Sequence, residues 1–509
     1  MNKDINQKLN LGIFLSYISV LVSIILGVLY IPWMINGIGY SNYAIYSIAI
    51  TLISFFSIDF GLSEAVTRFI SKYNSSDDYL GKNKFLSVTF RIYIVIDLLI
   101  FLVLGIVYLN ISRIYANLTI LEIKSLKTVF LIISMYTVAS FPFIPLNGIL
   151  ISHHKYSFVK LMDILYKVLT TSLMILALFF FGGVITLVAI NTLVGLMVIV
   201  IKIIYIKKTD LIIVDLKFWD NTIFREIIKF IAWMTIIAVS QRLIFNIMPS
   251  ILGALANSDE IAKFAISSTI EGYTWMIAAA LSGLFLPSIT EMTHKSTDNK
   301  AIEKLMLSIG KYQLVILGLI LLGFILVGKE FLFFWVGGFF DDSYLITVLL
   351  ISPLVLVMPL QIAETTLTAR GLLKYRAIGS LIVGVGSMVL SILLSKELGA
   401  LGVGISIFTS SMIGYVFYMN IVYIKVLKFN MKKFFLNVYF KYIFVILCTL
   451  IVWFFISYFF QNSSIFALVI KILIISIIYC ASVYYAYLNS DERKIIIKLF
   501  KKNTKGEIK

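Results

Sequence analysis

Arg242 occupies the position in this chain that most needs a chemical explanation. It lies near the centre of IAWMTIIAVSQRLIFNIMPSIL, Ile231 to Leu252, a run otherwise apolar and long enough to cross a bilayer as one helix. A charged side chain at that depth costs about 2.5–3.5 kcal/mol on insertion scales, so it must meet a polar cavity or a partner rather than lipid. At about 100° per residue, Thr235, Arg242, Asn246 and Ser250 share one sector, with Gln241 close by. Two chemistries suit such a face. Arg242 either pairs with a carboxylate of another helix as a structural tie, or its planar, permanently charged fork binds the oxygens of an anionic group such as phosphate. The carboxylate expected to meet it is Glu271 in the next apolar run, on one face with Ser268, Trp275 and Ser282.

The remaining polar groups inside apolar runs are few. The first run carries Gly12, Ser16, Ser19, Ser23, Gly27 and Tyr30 on one side, a stripe that either packs closely or lines a cavity, and Ser23 is its candidate binding residue. Ser47, Thr51 and Ser54 precede Asp59, and Asp97 lies in the third run. Asp59, Asp97 and Glu271 are candidate ligands for a coupling ion, a proton or sodium. Asp163 and Lys167, four apart with the acid first, are expected to form a pair within one helix, and Glu364 lies close to the inner surface. His153, His154 and His294 all fall in inner loops, which disfavours proton coupling through histidine. Cys448 and Cys480 sit in apolar runs and read as small hydrophobes. There is no GxxxxGK[ST], HExxH or CxxC, so no ATP site, metal centre or cofactor is expected.

The elements that position these groups are membrane helices. Sixty per cent hydrophobic and 14% charged residues, with a mean hydropathy of +1.00, exclude a soluble globular domain, in which about a quarter of residues are charged. The net charge of +17 does not indicate nucleic-acid binding, which needs a basic face on a soluble domain. The expectation is an all-α, polytopic fold of about fourteen spans, near 10–32, 42–66, 85–109, 127–150, 158–181, 184–206, 229–252, 261–287, 306–327, 344–368, 376–395, 400–424, 438–460 and 464–488. The first run is too long for the core of a signal peptide. With a cytoplasmic N-terminus, inner segments hold 34 of the 43 Lys and Arg and outer loops only 6, so both termini are expected in the cytoplasm.

The two halves repeat at a shift of 217 to 219 residues. Pro32 meets Pro249, Lys155-Tyr156 meets Lys374-Tyr375, Gly183-Val184 meets Gly402-Val403, Gly195 meets Gly414, and Tyr205-Ile206-Lys207 meets Tyr423-Ile424-Lys425. Six spans per half make the repeat parallel, with two bundles around a central cavity. The expected organisation is a lobe at 1–208, a cytoplasmic connector at 209–228, a second lobe at 229–427, two extra helices at 428–490 that face lipid, and a basic cytoplasmic tail at 491–509. Pro142 and Pro145 in the fourth span are echoed by Pro353 and Pro359 in the tenth, and these bends are candidate hinges.

DFGLSEAVTRFISKY at 59–73, PLNGILISHHKYSFVKLMDIL at 145–165 and TLTARGLLKYRAIGSLIVGVGSMVLSILLSKELGALGVGISI at 366–407 resemble the bacterial polysaccharide-export flippases of the O-antigen (Wzx) type. That family lies in the superfamily of multidrug and toxin extrusion antiporters and the lipid II flippase. The resemblance implies two six-helix lobes around a cationic cavity for the pyrophosphate of a lipid-linked sugar, with Arg242 as this chain's candidate and Gln241, Asn246, Glu271, Ser23 and Ser268 around it. It also implies translocation of a lipid-linked oligosaccharide by alternating access across the bacterial cytoplasmic membrane, among membrane lipids and other polysaccharide-assembly proteins. Two other readings stand beside it: an ion-coupled small-molecule antiporter on the same fold, and a membrane glycosyltransferase or polymerase. The last is disfavoured by the short outer loops, the longest lying near 110–126 and 328–343.

Overall fold

The computed structural model describes residues 3–57, 59–75, 78–153, 155–180, 182–209, 218–282, 289, 292, 299–459, 464–489 and 492–493. Among them every regular element is helical and none is a strand. Among the described residues ten helices are long and apolar enough to cross a membrane, eleven if the bent pair Asn221–Ile228 and Ile231–Phe245 counts as one span. That falls short of the expected fourteen, for physical reasons. The first and second expected spans form one element broken at Gly39, and the eleventh and twelfth form one broken at Gly399. The eighth, Ser258–Ser282, is interrupted by Asp259, Glu260, Lys263 and Glu271, and its expected continuation lies outside the described residues.

The chain packs as two compact units, Met1–Ala280 with Leu372–Phe417, and Leu281–Gly371 with Tyr418–Lys509. In the first unit α1 (Lys3–Phe56) packs on α4 (Ile120–Ser140), α6 (Tyr156–Phe180) and α7 (Val184–Lys208). Between them come α2 (Leu62–Ser75), α3 (Tyr79–Ile114) and α5 (Leu146–Ser152), and after them α8 (Asn221–Phe245), α9 (Met248–Leu255) and α10 (Ser258–Ser282). Further along, α14 (Leu373–Ser411) lies along α8, where Gly384 brings its backbone against Ser240. Packing therefore places α8 to α10 and α14 with the first six-helix half. The basic connector and tail fall largely outside the described residues.

The second unit holds α11 (Lys300–Val336), α12 (Ser343–Val357), α13 (Gln361–Ala369), α15 (Met419–Lys425), α16 (Met431–Phe435), α17 (Lys441–Phe459) and α18 (Ile465–Ser482).

The repeat is visible as local geometry. A 3-10 turn at Phe141–Phe143 joins α4 to α5, and a 3-10 turn at Met358–Leu360 joins α12 to α13. Pro142 and Pro359, which stand 217 apart, occupy the same place in these two turns. Proline removes an N–H and clashes with the carbonyl four residues back, so the α-helix gives way to tighter i→i+3 bonding there. Pro145 instead caps α5, and Pro353 lies inside α12, so these two are not counterparts. Gly182 and Gly399 are also 217 apart, and both are left-handed, at φ of 39° and 55°. At Gly399 a side chain would also strike the Glu260 carboxylate, which accepts the Ala400 amide at 2.7 Å.

The last two helices are more than a lipid-facing appendage. One side is apolar and open, with Phe454 and Phe466 exposed. The other docks on α11, where Lys471 Nζ meets Glu330 Oε1 at 2.7 Å and the Tyr479 hydroxyl donates to the Val315 carbonyl at 2.6 Å. Lys471 is only 3% exposed, so Glu330→Gln would leave an uncompensated buried ammonium. Breaking a buried pair in this way costs about 3–5 kcal/mol. The expected result is a clear fall in the thermal midpoint of the purified protein, largely recovered when Lys471→Met is added. An unchanged midpoint in Glu330→Gln would show that the pair does not hold the two helices.

Candidate functional site

Arg242 lies in the last turn of α8, and the helix stops directly after it. Asn246 is the C-cap, Ile247 is not helical by pattern, and α9 restarts at Met248 with Pro249 in its first turn. The equivalent stretch of the first half runs unbroken, with Pro32 inside α1. At a shift of 217, Arg242 corresponds to Ile25, an exposed apolar residue. The break and the charge are thus both specific to the second half.

The Arg242 guanidinium is half-buried and held by neutral oxygens. Its Nη1 donates to Ser54 Oγ at 2.6 Å and to Asn246 Oδ1 at 3.3 Å. Among the described residues it forms no salt bridge, and no ion pair or hydrogen bond joins it to Glu271. The expected tie to that carboxylate is not formed in this conformation. Both bonds leave from one nitrogen, so among the described residues the Nε and Nη2 N–H groups have no acceptor. Gln241 is exposed and Asn246 is half-buried. Further along the same face, Thr235 donates to the Phe60 carbonyl at 3.0 Å, so the sector read from the sequence packs on the chain around 54–61.

That turn gives Asp59 a different role from the expected one. Both carboxylate oxygens accept the Ser63 amide at 3.1 Å, and Oδ1 also takes the Tyr93 hydroxyl at 2.6 Å. Asp59 therefore caps the start of α2, as a carboxylate does at a helix N-terminus. Phe60 and Gly61 follow with positive φ, and a Cβ on Gly61 would lie 2.6 Å from that of Met234, so α8 approaches this turn as closely as a glycine permits. Asp97 lies half-buried on α3, its enclosed Oδ1 without a hydrogen-bond partner among the described residues, while Val95 and Leu98 beside it are exposed.

Glu271 is 5% exposed on α10, Ser268 is half-buried with its hydroxyl folded back onto the Ala265 carbonyl, and Trp275 is exposed. These three do not share one environment, and the side chain of Ser282 lies outside the described residues. Ser23 is half-buried on α1. His153 forms the C-cap of α5, and His154 and His294 lie outside the described residues.

A second cation escaped the sequence reading. Asp163 pairs with Lys160 at 3.2 Å rather than with Lys167. Lys167, half-buried in the middle of α6, is left without an ion pair among the described residues. The i,i+3 and i,i+4 partners of Asp163 are both basic, and Lys160 lies nearer the helix end. An aspartate there stays hydrated with Lys160 and would be desolvated with Lys167, a signal that depth along the helix could have supplied.

A helical bundle of long apolar elements, with matched breaks in corresponding helices and an arginine at a span interruption, is a multi-pass membrane fold. The fold is that of the lipid II flippase MurJ in an inward closed conformation, with a TM-score of 0.67, 19% identity, and coverage of 93% of this chain and 98% of that one. It is also that of an inward-facing multidrug resistance MATE family transporter of the MOP superfamily, with a TM-score of 0.61 at 14% identity over 82% of this chain and 97% of the other. A mutant of the Vibrio cholerae MATE transporter VcmN matches at 0.57 and 11% identity, over 83% and 98%. The chain belongs to the polysaccharide biosynthesis protein family, whose model matches residues 10–292. No curated protein sequence matches it.

Proposed function

We propose that the protein is a flippase that moves an undecaprenyl-pyrophosphate-type, lipid-linked oligosaccharide repeat unit across the bacterial cytoplasmic membrane for export of a surface polysaccharide. The observation that carries this reading is Arg242: a guanidinium at a helix break, anchored by Ser54 and Asn246 and, among the described residues, not neutralised by a carboxylate. Such a group keeps its charge and two N–H directions for phosphate oxygens. Lys167 supplies a second positive charge of the same kind, and Gln241, Asn246, Ser23 and Ser268 supply polar groups for sugar or phosphate oxygens. In this reading fourteen spans cross the membrane with both termini in the cytoplasm. Lobes 1–208 and 229–427 alternate about hinges at the 3-10 turns of Pro142 and Pro359. The protein performs no covalent chemistry.

A second reading rests on Glu271 and Asp97. Glu271 is buried and Asp97 half-buried with its Oδ1 enclosed, and among the described residues neither has an ion-pair partner, the arrangement an ion-coupled antiporter uses to exchange a proton or sodium for its cargo. Depletion in the native bacterium separates the two. The flippase reading expects loss of surface polysaccharide with lipid-linked repeat units accumulating in the inner leaflet. Unchanged polysaccharide together with altered resistance to cationic drugs would favour the antiporter and overturn the flippase.

A further inference from the structure

One crevice in the second unit is not used by the transport reading. It opens between the start of α17 and the chain just beyond α18, encloses about 660 Å³, and is lined by Phe440, Lys441, Phe444, Leu488, Asn489 and Arg493 among others. Its polar side is built around Arg493. The Nε of that guanidinium donates to the Leu488 carbonyl at 3.0 Å and its Nη2 to the Tyr485 carbonyl at 2.6 Å, and the group lies 5.6 Å from the centre of the Tyr484 ring. These bonds satisfy carbonyls left over where the helix ends and fix the direction of the charge, and among the described residues Nη1 has no acceptor.

Among the described residues the charge balance of the crevice is positive. Glu492, the acid next to Arg493, is engaged by Lys311 Nζ at 2.9 Å and by the Asn489 amide at 2.8 Å. Lys441 is exposed and forms no ion pair among the described residues. Two cations therefore flank a polar pocket whose other wall is apolar. From that wall Phe440, just before α17, and Phe444, Leu447 and Ile451 on it form an exposed stripe at spacings of three and four. The basic residues of 425–441 and of the tail place this end on the side of the membrane where Lys and Arg concentrate.

We infer that this crevice binds an anionic phospholipid, its phosphate between Lys441 and Arg493 and its acyl chains along the Phe440–Ile451 stripe. A soluble anion would use the cations but leave the adjoining apolar stripe unexplained. A zwitterionic lipid would cover the stripe but carries its own cation against the pair. Only an anionic lipid uses both halves, in the manner of basic pockets at the cytoplasmic ends of membrane helices.

The test is native mass spectrometry of the full-length protein released from vesicles of mixed phosphatidylglycerol and phosphatidylethanolamine. The wild type should retain phosphatidylglycerol selectively. Lys441→Gln, which breaks no side-chain hydrogen bond or ion pair among the described residues, should weaken that retention about five-fold, the equivalent of about 1 kcal/mol for one basic residue at the surface. Lys441→Gln with Arg493→Gln should abolish it while phosphatidylethanolamine adducts stay unchanged. A chain ending after Arg493 should still retain the lipid. Equal retention of both lipids by the wild type, full retention by Lys441→Gln, or loss on truncation alone would overturn the assignment. So would displacement of the lipid by inorganic phosphate, which would make the crevice a site for a free anion.

Discussion

Joining Asn117 to Ala254 by a short covalent link should stop export. The two ends meet tightly: Asn117 Nδ2 donates to the Ala254 carbonyl at 2.6 Å, and a Cβ on the adjacent Gly253 would lie 2.8 Å from the Tyr115 ring. The segment that presents Asn117 is itself rigid. Thr119 and Glu122 form a capping box at the start of α4, and the Ser41 hydroxyl donates to the same glutamate at 2.6 Å. In the proposed topology these loops face outward, so the contact closes the outer side and must part before cargo can leave. Asn117→Cys with Ala254→Cys, in a background where the free Cys448 and Cys480 are replaced by alanine, should export normally when reduced. It should fall to the level of a strain lacking the protein when cross-linked, and recover on cleavage of the linker. Normal export by a fully cross-linked population would mean that this contact does not open during transport.

Arg242→Gln should reduce transport by about 10- to 100-fold at equal protein level, and Arg242→Lys should retain part of it. A hydrogen bond to a charged group contributes about 1.5–3 kcal/mol, and each 1.36 kcal/mol in a barrier is about tenfold in rate. Glutamine keeps some hydrogen bonding and loses the charge. Lysine keeps the charge and loses the bidentate fork. The tether can be separated from the ligand-binding role, because Ser54→Ala removes the 2.6 Å bond and leaves the guanidinium in place. Its expected effect is small. Glu271→Gln alone should not rescue Arg242→Gln, since no ion pair links the two residues here. If the double variant regains export, Arg242 is a structural tie that forms in another conformation, and the cargo site lies elsewhere.

The parts of this molecule that one-dimensional patterns can encode were readable from the chain. Membrane spans are set by length and hydropathy, and the positions of Gly39, Gly182 and Gly399 follow the same local logic of breaks between helices. The repeat register, inferred from scattered pairs, recurs in the paired 3-10 turns of Pro142 and Pro359 because proline imposes its geometry wherever it stands. Arg242 was conspicuous because a charge in an apolar run has a known cost. What it touches was not readable. Ser54 lies 188 residues earlier, and contacts across that distance leave no spacing signal.

Asp59 has a local role that its place in a span does not announce. A carboxylate at the inner end of a span reads as an ion ligand, yet the Ser63 amide and hydroxyl four residues on already make it a helix cap. The pairing of Asp163 was misassigned because spacing alone does not distinguish Lys160 from Lys167, and only depth in the membrane does. The docking of the last two helices depends on Glu330, more than a hundred residues before Lys471, and so was invisible to any local pattern.

The central claim is that the charge of Arg242 serves a diphosphate-bearing lipid in transit. Its most direct measurement is translocation of a fluorescent undecaprenyl-pyrophosphate oligosaccharide in vesicles containing only the purified protein, read as loss of inner-leaflet label to a membrane-impermeant quencher. Wild-type vesicles should translocate the lipid, Arg242→Lys vesicles more slowly, and Arg242→Gln vesicles about 10- to 100-fold more slowly than wild type. Translocation by Arg242→Gln at the wild-type rate would contradict the account.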